Sequence, residues 1–371
     1  MKCGILTFHR AQNFGAILQA YALQQSVEKL GAECEVIDYR SPHIEKYYQP
    51  ITLKTLPSIK KMAAIVIKNG RVKNNRDNFD LFTNNHLKTS SIIYEDKGQL
   101  ENSKERYDKF ITGSDQVWSY LTAGFDKSYF LDFVDKKEKK HSYAASFGVE
   151  SIPTEYKKEY TDMLKDFENI SLREEQGAQI LNELLSIDPL VVLDPTMLLN
   201  KTEWSEISHE TSEDQEYLLL YVIAESKSIL SLAKEIAKKR DLKIIYINDR
   251  LYKRSGMENR SKISVDEWIA LFLNANCIVT NSFHGVAFSI NFQKDFFMQY
   301  LPEPAKVNSR LENILNKFEL NARHITDIYN FDKVEDINYS QVHKILESER
   351  SIALDYLSEV IEIPKNNKKS I

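Results

Sequence analysis

The stretch "CIVTNSFHGVAFSINF" (277–292) is apolar on both sides of a polar break formed by Asn281, Ser282, His284 and Gly285. A histidine there is either a core residue tied to a carbonyl or a group held for proton transfer, since its side chain changes charge near neutral pH. Other apolar runs end the same way. "CGILTF" ends in His9, Arg10, Asn13 and Gly15, and "YDKFIT" ends in Gly113, Ser114, Asp115 and Gln116. "NISL" ends in Arg173 followed by Glu174 and Glu175, and "YLLLYVIA" ends in Glu225. An arginine among such breaks can grip a phosphate or carboxylate through its planar fork of donors.

Each group also has a plainer reading. Asn13 and Gly15 fit a turn and helix cap, and Ser114, Asp115 and Gln116 fit a capping loop. Arg173 could pair with Glu174 or Glu175 on the surface, where such a bridge carries little energy. Cys277 reads as packing. His9, His86 and His141 do not fall at metal-ligand spacings, so no metal site is expected. No GxGxxG motif is present, which weakens a dinucleotide reading.

The elements around these breaks alternate. "KCGILTF" reads as a strand, "GAILQAYALQQSVEKLG" as a helix closed by Gly31, and "ECEVIDY" as a second strand, the pattern of a parallel βαβ unit. Strand patterns resume at 107–118, 141–148, 169–181 and 190–199. A second alternating series runs from "YLLLYVIAE" (217–225) through "LKIIYIN", "SVDEWIALFLNAN", "CIVTNS", "KDFFMQY" and "SRLENILNKFEL", with Ser264 and Glu267 spaced as a capping box. The expected fold class is α/β, with two Rossmann-like doubly wound domains facing a cleft, a GT-B-like arrangement. The expected domains are residues 1–205, with an insertion of short helices and loops at about 40–100, then 206–332, then a helical tail at 333–371. The polar segment 200–216 reads as the linker.

In open sheets of this kind ligands bind beyond the carboxyl ends of the strands. His284 then stands at a strand-to-helix junction, where free amides carry partial positive charge. A following glycine lets another group come close, which suits a proton donor that handles an anion.

The bulk properties are those of a globular protein, with 42% hydrophobic and 28% charged residues. A net charge of −5 gives no positive excess for nucleic acid, so no nucleic-acid partner is expected. Three scattered cysteines, Cys3, Cys34 and Cys277, suggest reduced thiols and a cytoplasmic location. The N-terminus reads as a first strand and not a signal peptide, and no apolar run reaches the ~18 residues of a membrane span. The basic end, Lys365–Lys369, could touch the inner face of a membrane peripherally, but reads more simply as a solvated tail.

The blocks "QNFGAILQAYALQQSVEKLGAECEVIDY", "FITGSDQVW", "YAASFG", "ISLREEQG", "VVLDPTMLL" and "VTNSFHGVAFSINF" come in an order that resembles the polysaccharide pyruvyl transferase family. The resemblance spans roughly residues 3–320. It implies transfer of the pyruvyl group of phosphoenolpyruvate to a sugar of a polysaccharide or its precursor, closing a cyclic ketal. Phosphoenolpyruvate is then a co-substrate, no cofactor is needed, and the partner is a glycan or lipid-linked sugar acceptor whose sugar stays open. By the same resemblance His284 is the acid–base group, and Arg173, Ser282, Gly285 and Arg310 lie on the donor side. Some relatives carry an arginine at the position of Ser282, for which Arg310 is the candidate replacement. Asn13, Gly15, Ser114, Asp115, Gln116 and Glu225 face acceptor or donor by position. The competing readings are a GT-B-type glycosyltransferase using a nucleotide sugar and a non-catalytic partner in glycan assembly.

Overall fold

In the computed structural model the described residues are 1–47, 76–209, 213–249, 252–302, 308–328 and 330–362. Two parallel five-stranded sheets organise them. The first contains β1 (Lys2–Leu6), β2 (Glu33–Tyr39), β3 (Thr89–Tyr94), β4 (Lys109–Thr112) and β5 (Lys140–Ser142), in the order β3-β2-β1-β4-β5. Isolated parallel bridges His141↔Asn169 and Ala145↔Leu172 seat β6 (Ser171–Leu172) beside β5. After β7 (Leu190–Val191), the second sheet contains β8 (Tyr217–Tyr221), β9 (Lys243–Ile247), β10 (Glu258–Arg260), β11 (Cys277–Thr280) and β12 (Asp295–Met298), in the order β10-β9-β8-β11-β12.

The residues account for these elements. β8 and β11 are buried at every position, as apolar runs covered on both faces by helices must be. The helix Phe14–Lys29 starts at Asn13, whose Oδ1 accepts from Ala16 N, and Lys227–Arg240 starts at Ser226, whose Oγ accepts from Ile229 N. Ser264 caps Val265–Asn274 by accepting from Glu267 N. One core of the second sheet joins Leu218, Leu220, Tyr246, Val279 and Phe297 to Ile229, Leu232 and Ile236 of the crossover helix.

Strand order reverses between β1 and β4 in the first sheet and between β8 and β11 in the second. Those two switch points are where strand-end loops splay apart and leave room for a ligand. Asp115 and Ser282 follow the reversing strands.

Several expectations shift. The insertion at 40–100 contains, besides a helix at Pro42–Tyr47 and helical residues 76–86, the edge strand β3. Residues 48–75 of that insertion and the basic end 365–369 lie outside the described residues. The strand expected at 190–199 stops at Val191, because Asp194 and Pro195 open a 3-10 turn at Pro195–Met197.

The chain divides into two compact units, with a boundary between Arg173 and Glu174 where the sequence suggested 205. The first unit holds the described residues of Met1–Gly148, Thr154–Arg173 and those from Leu357 on; the second holds Val149–Pro153 and Glu174–Tyr356. Buried side chains give the reason. Arg350 donates to the carbonyls of Met197 (2.6 Å) and Leu199 (3.2 Å) and to Asn291 Oδ1 (2.7 Å). Asn291 Nδ2 in turn donates to Thr196 O (3.0 Å) and Leu199 O (2.8 Å), so 194–199 is fastened to the second unit. The described part of the expected tail, up to residue 362, is likewise no separate unit, since the helix Tyr339–Val360 contributes to both units.

Candidate functional site

The tip of β11 is built by short-range hydrogen bonds. Thr280 Oγ1 donates to Tyr221 O at 2.6 Å and accepts from Ser282 N at 3.0 Å, tying the reversing strands together. Asn281 braces the neighbouring loop from both ends of its amide: Oδ1 accepts from Ile223 N (2.8 Å) and Nδ2 donates to Ala224 O (2.6 Å). Ser282 is the N-cap of the helix Phe283–Asn291, its Oγ accepting from Gly285 N. Its side chain also hydrogen-bonds Tyr221, whose hydroxyl burial pushes far above its usual range and so keeps neutral.

His284 therefore occupies the first turn of a capped helix at a switch point. It is 8% exposed, packs edge-on against Phe283, and turns Nε2 toward Asp194 Oδ2 at 3.7 Å. Nε2 is buried and has no hydrogen-bond partner among the described residues. Gly285 serves the scaffold: a Cβ there would lie 2.2 Å from Thr280 Oγ1, so Thr280 is a group whose close approach the glycine permits. Arg310 stands in the first turn of Ser309–Lys317, a helix that packs on Phe283–Asn291, and is half-buried.

Asp194 is the residue that sequence reasoning missed. Its side chain is fully enclosed, with Oδ1 accepting from Thr196 N (3.0 Å) and Thr196 Oγ1 (2.7 Å) and Oδ2 lying 3.7 Å from His284 Nε2. The signal was present in "VVLDPTMLL": an acid before a proline inside an apolar run has to be either partnered or at a turn, and this one is both.

In the first unit, Arg173 Nη2 lies 3.4 Å from Asp115 Oδ1, with the arginine side chain 1% exposed. The guanidinium is thus enclosed, where the plainer reading of the sequence put it on the surface. Asp115 takes a positive φ of 75°, and its Oδ1 also accepts from Gln116 N. Gly113 (φ +109°) must be glycine, because a Cβ would meet Tyr143 O at 2.3 Å. Ser114 points into the core: its Oγ donates to Ala144 O (2.8 Å), its N to Gln19 Oε1 (3.0 Å), and it is fully buried. Gln116 accepts from Thr122 Oγ1 at 2.7 Å.

Asn13 is an exposed helix cap and Gly15 is buried in the first turn behind it. His9 is buried, with ring nitrogens 3.3 Å from Thr7 O and from Asp38 Oδ1. Burial opposes ionisation of Asp38, yet hydrogen bonds from His9 and Arg40 outweigh it and hold that carboxyl well below its usual range. Glu225 is held on both oxygens by Tyr246, Tyr252 and Arg254. Ser114 and Glu225, which the sequence offered as ligand-facing, thus hydrogen-bond within the protein.

The family follows from these same blocks. The model of the polysaccharide pyruvyl transferase family matches residues 13–298, which include Asp115, Arg173, Asp194 and His284. The chain belongs to the polysaccharide pyruvyl transferase family. It is a transferase of polysaccharide biosynthesis by that membership. No curated protein sequence matches it.

Solved structures similar to this pyruvyl transferase family member share its fold at low identity. The UDP complex of MnaA from S. aureus gives a TM-score of 0.51 at 12% identity, covering 100% of this chain and 98% of the other. UDP-GlcNAc 2-epimerase from Neisseria meningitidis, bound to UDP-GlcNAc, gives 0.50 at 10%, covering 98% and 99%. The fold is thus α/β of GT-B type, built on two Rossmann-like sheets. Among the described residues no helix is long and apolar enough to cross a membrane.

Proposed function

We propose that this transferase moves the pyruvyl group of phosphoenolpyruvate onto two hydroxyls of one sugar, closing a cyclic ketal and releasing inorganic phosphate. The observation that carries the reading is His284, held by a capped helix at the switch point of its sheet and turned toward a buried carboxylate. The chemistry balances without a further reactant. The enol methylene of phosphoenolpyruvate takes up one proton while the first hydroxyl adds to C2 and gives one up. The second hydroxyl then displaces phosphate from C2, and its proton leaves with the phosphate. His284 is suited to move those protons, a contribution of roughly 10²–10⁴-fold.

Arg173 is the donor anchor in this reading, because a guanidinium matches phosphate and carboxylate oxygens in its own plane. Arg310 is the second candidate cation. Ser282 and Gly285 act on the helix that carries His284. The acceptor is a glycan or lipid-linked sugar, and the bound carboxylate Asp115 and Gln116 are the strand-end groups offered to it.

The test is phosphate release from phosphoenolpyruvate across a panel of sugar acceptors, with His284→Ala and Arg173→Ala alongside. Acceptor-dependent release that disappears in H284A supports the reading. No turnover with any acceptor and no binding of phosphoenolpyruvate would remove it. Parallel reactions with UDP-sugars address the nucleotide-sugar alternative, since two solved structures of similar fold hold UDP and UDP-GlcNAc.

A further inference from the structure

We infer that Asp194 is the positioning residue of His284, keeping a proton on Nε2 so that Nδ1 is the nitrogen that exchanges protons with substrate. The inference rests on the acid–base role given to His284 above. Three features of the second unit lead to it.

Asp194 cannot turn away. Its Oδ1 is fixed by the N–H and hydroxyl of Thr196, and Thr196 is itself held by Asn291 Nδ2, on the helix that carries His284, and by Trp204 Nε1. Arg350 clamps the carbonyls on the same turn. Carboxylate and imidazole are therefore mounted on one rigid block, as a working pair must be.

Asp194 is also the one charged group within ion-pair distance of His284 among the described residues. The fully enclosed Asp194 side chain faces Nε2, a buried ring nitrogen with no hydrogen-bond partner among the described residues. At 3.7 Å the two atoms are in ion-pair reach and longer than a hydrogen bond, as is common for catalytic pairs before substrate binds.

The proton accounting follows. Asp194 accepts from Nε2–H throughout and balances the charge while both ring nitrogens are protonated. Nδ1 gives its proton to the enol methylene, then takes one from the hydroxyl as that oxygen bonds to C2. The ring ends as it began.

Ring ¹⁵N shifts of histidine-labelled protein, assigned with His284→Gln, test this without turnover. The expected neutral ring is the Nε2–H tautomer. In Asp194→Asn the Thr196 N–H keeps the amide oxygen, so the amide NH2 faces Nε2 and the ring changes to Nδ1–H. With substrate, D194N loses about 10²-fold in kcat, the lower end of a general acid–base contribution, while KM for phosphoenolpyruvate stays near that of the unmodified chain. An Nδ1–H ring in the unmodified protein, or a tautomer that D194N leaves unchanged, overturns the inference. If D194N does not fold, the unmodified spectrum alone decides. A correct tautomer with no phosphate release in any assay would remove the pyruvyl-transfer reading and not the pairing.

Discussion

Gly285 and Thr280 contend for one volume: a methyl group on Gly285 would sit 2.2 Å from Thr280 Oγ1 and 3.1 Å from its Cγ2. Thr280 cannot yield without breaking its bonds to Tyr221 O and Ser282 N, which join the reversing strands. The glycine of the histidine block thus has a packing reason, independent of any ligand.

Gly285→Ala is accordingly expected to cost about 1–3 kcal/mol of stability, the usual penalty for overpacking a core. Thr280→Ala costs roughly 0.5–1.5 kcal/mol for each hydrogen bond it removes. The double variant loses less than the sum, because removing the threonine side chain vacates the space the new methyl needs. Denaturant midpoints of the four proteins measure the coupling. Strict additivity would show that the close approach relaxes at no cost.

Arg173 gives a prediction on donor affinity. Its side chain is enclosed beside Asp115, so its charge acts in a poorly solvated setting where each charge-assisted hydrogen bond contributes about 1.5–3 kcal/mol. Arg173→Ala should raise KM for phosphoenolpyruvate by roughly ten- to a hundredfold on that scale. Arg173→Lys recovers only part, since an ammonium lacks the fork. Glu175→Ala, at an exposed position, leaves KM unchanged. An effect of E175A equal to that of R173A would return Arg173 to the surface pairing.

Much of this architecture was legible because it depends on short-range pattern. The run "ECEVIDY" is the strand Glu33–Tyr39 residue for residue, and the apolar runs before Gly113 and Asn281 are the strands β4 and β11. What escaped depends on contacts distant in sequence. Ser114 looks like a loop residue until Gln19, mid-helix in the sequence, accepts its N–H. Asp194 sits in a run that reads as strand, and only the fold brings His284 to it. Strand β3 has exposed Ser91, Ile92 and Ile93 and lacks the alternation of a half-buried strand. The unit boundary escaped because polar composition marks solvent and does not say which sheet a segment packs on. Asn291 and Arg350 decide that for 194–199.

His141 ties stability to pH. It is buried in β5, and burial, with Lys109 adding repulsion, holds its imidazole down at about 4. The unfolded ring titrates near ~6.5. Between these values the unfolded chain binds a proton that the folded chain refuses, so stability rises with pH through this window and is lost as pH falls. From pH 7 to pH 5 the cost is about 2 kcal/mol. Asp38 does not contribute there, because its depressed carboxyl matters only below ~4. Denaturation at pH 7 and pH 5 should show the slope in the unmodified protein and a flatter one in His141→Asn. Equal slopes would show that the ring is protonated in place.

Ser282 and Arg310 can be separated by what each variant changes. Ser282 caps the helix of His284 through Gly285 N, so Ser282→Ala should lower stability by about 0.5–2 kcal/mol, the range for a lost N-cap. A neutral hydroxyl contributes no ionic attraction to a phosphate, so KM for phosphoenolpyruvate should respond far less than it does to Arg173→Ala. Arg310 stands in the first turn of a helix packed on that of His284, and brings the positive charge that Ser282 lacks. Arg310→Ala should therefore raise KM for phosphoenolpyruvate while leaving the melting temperature near that of the unmodified protein. The reverse outcome, a KM that follows S282A and ignores R310A, would mean that the serine itself contacts the donor and that the second cation comes from elsewhere in the chain.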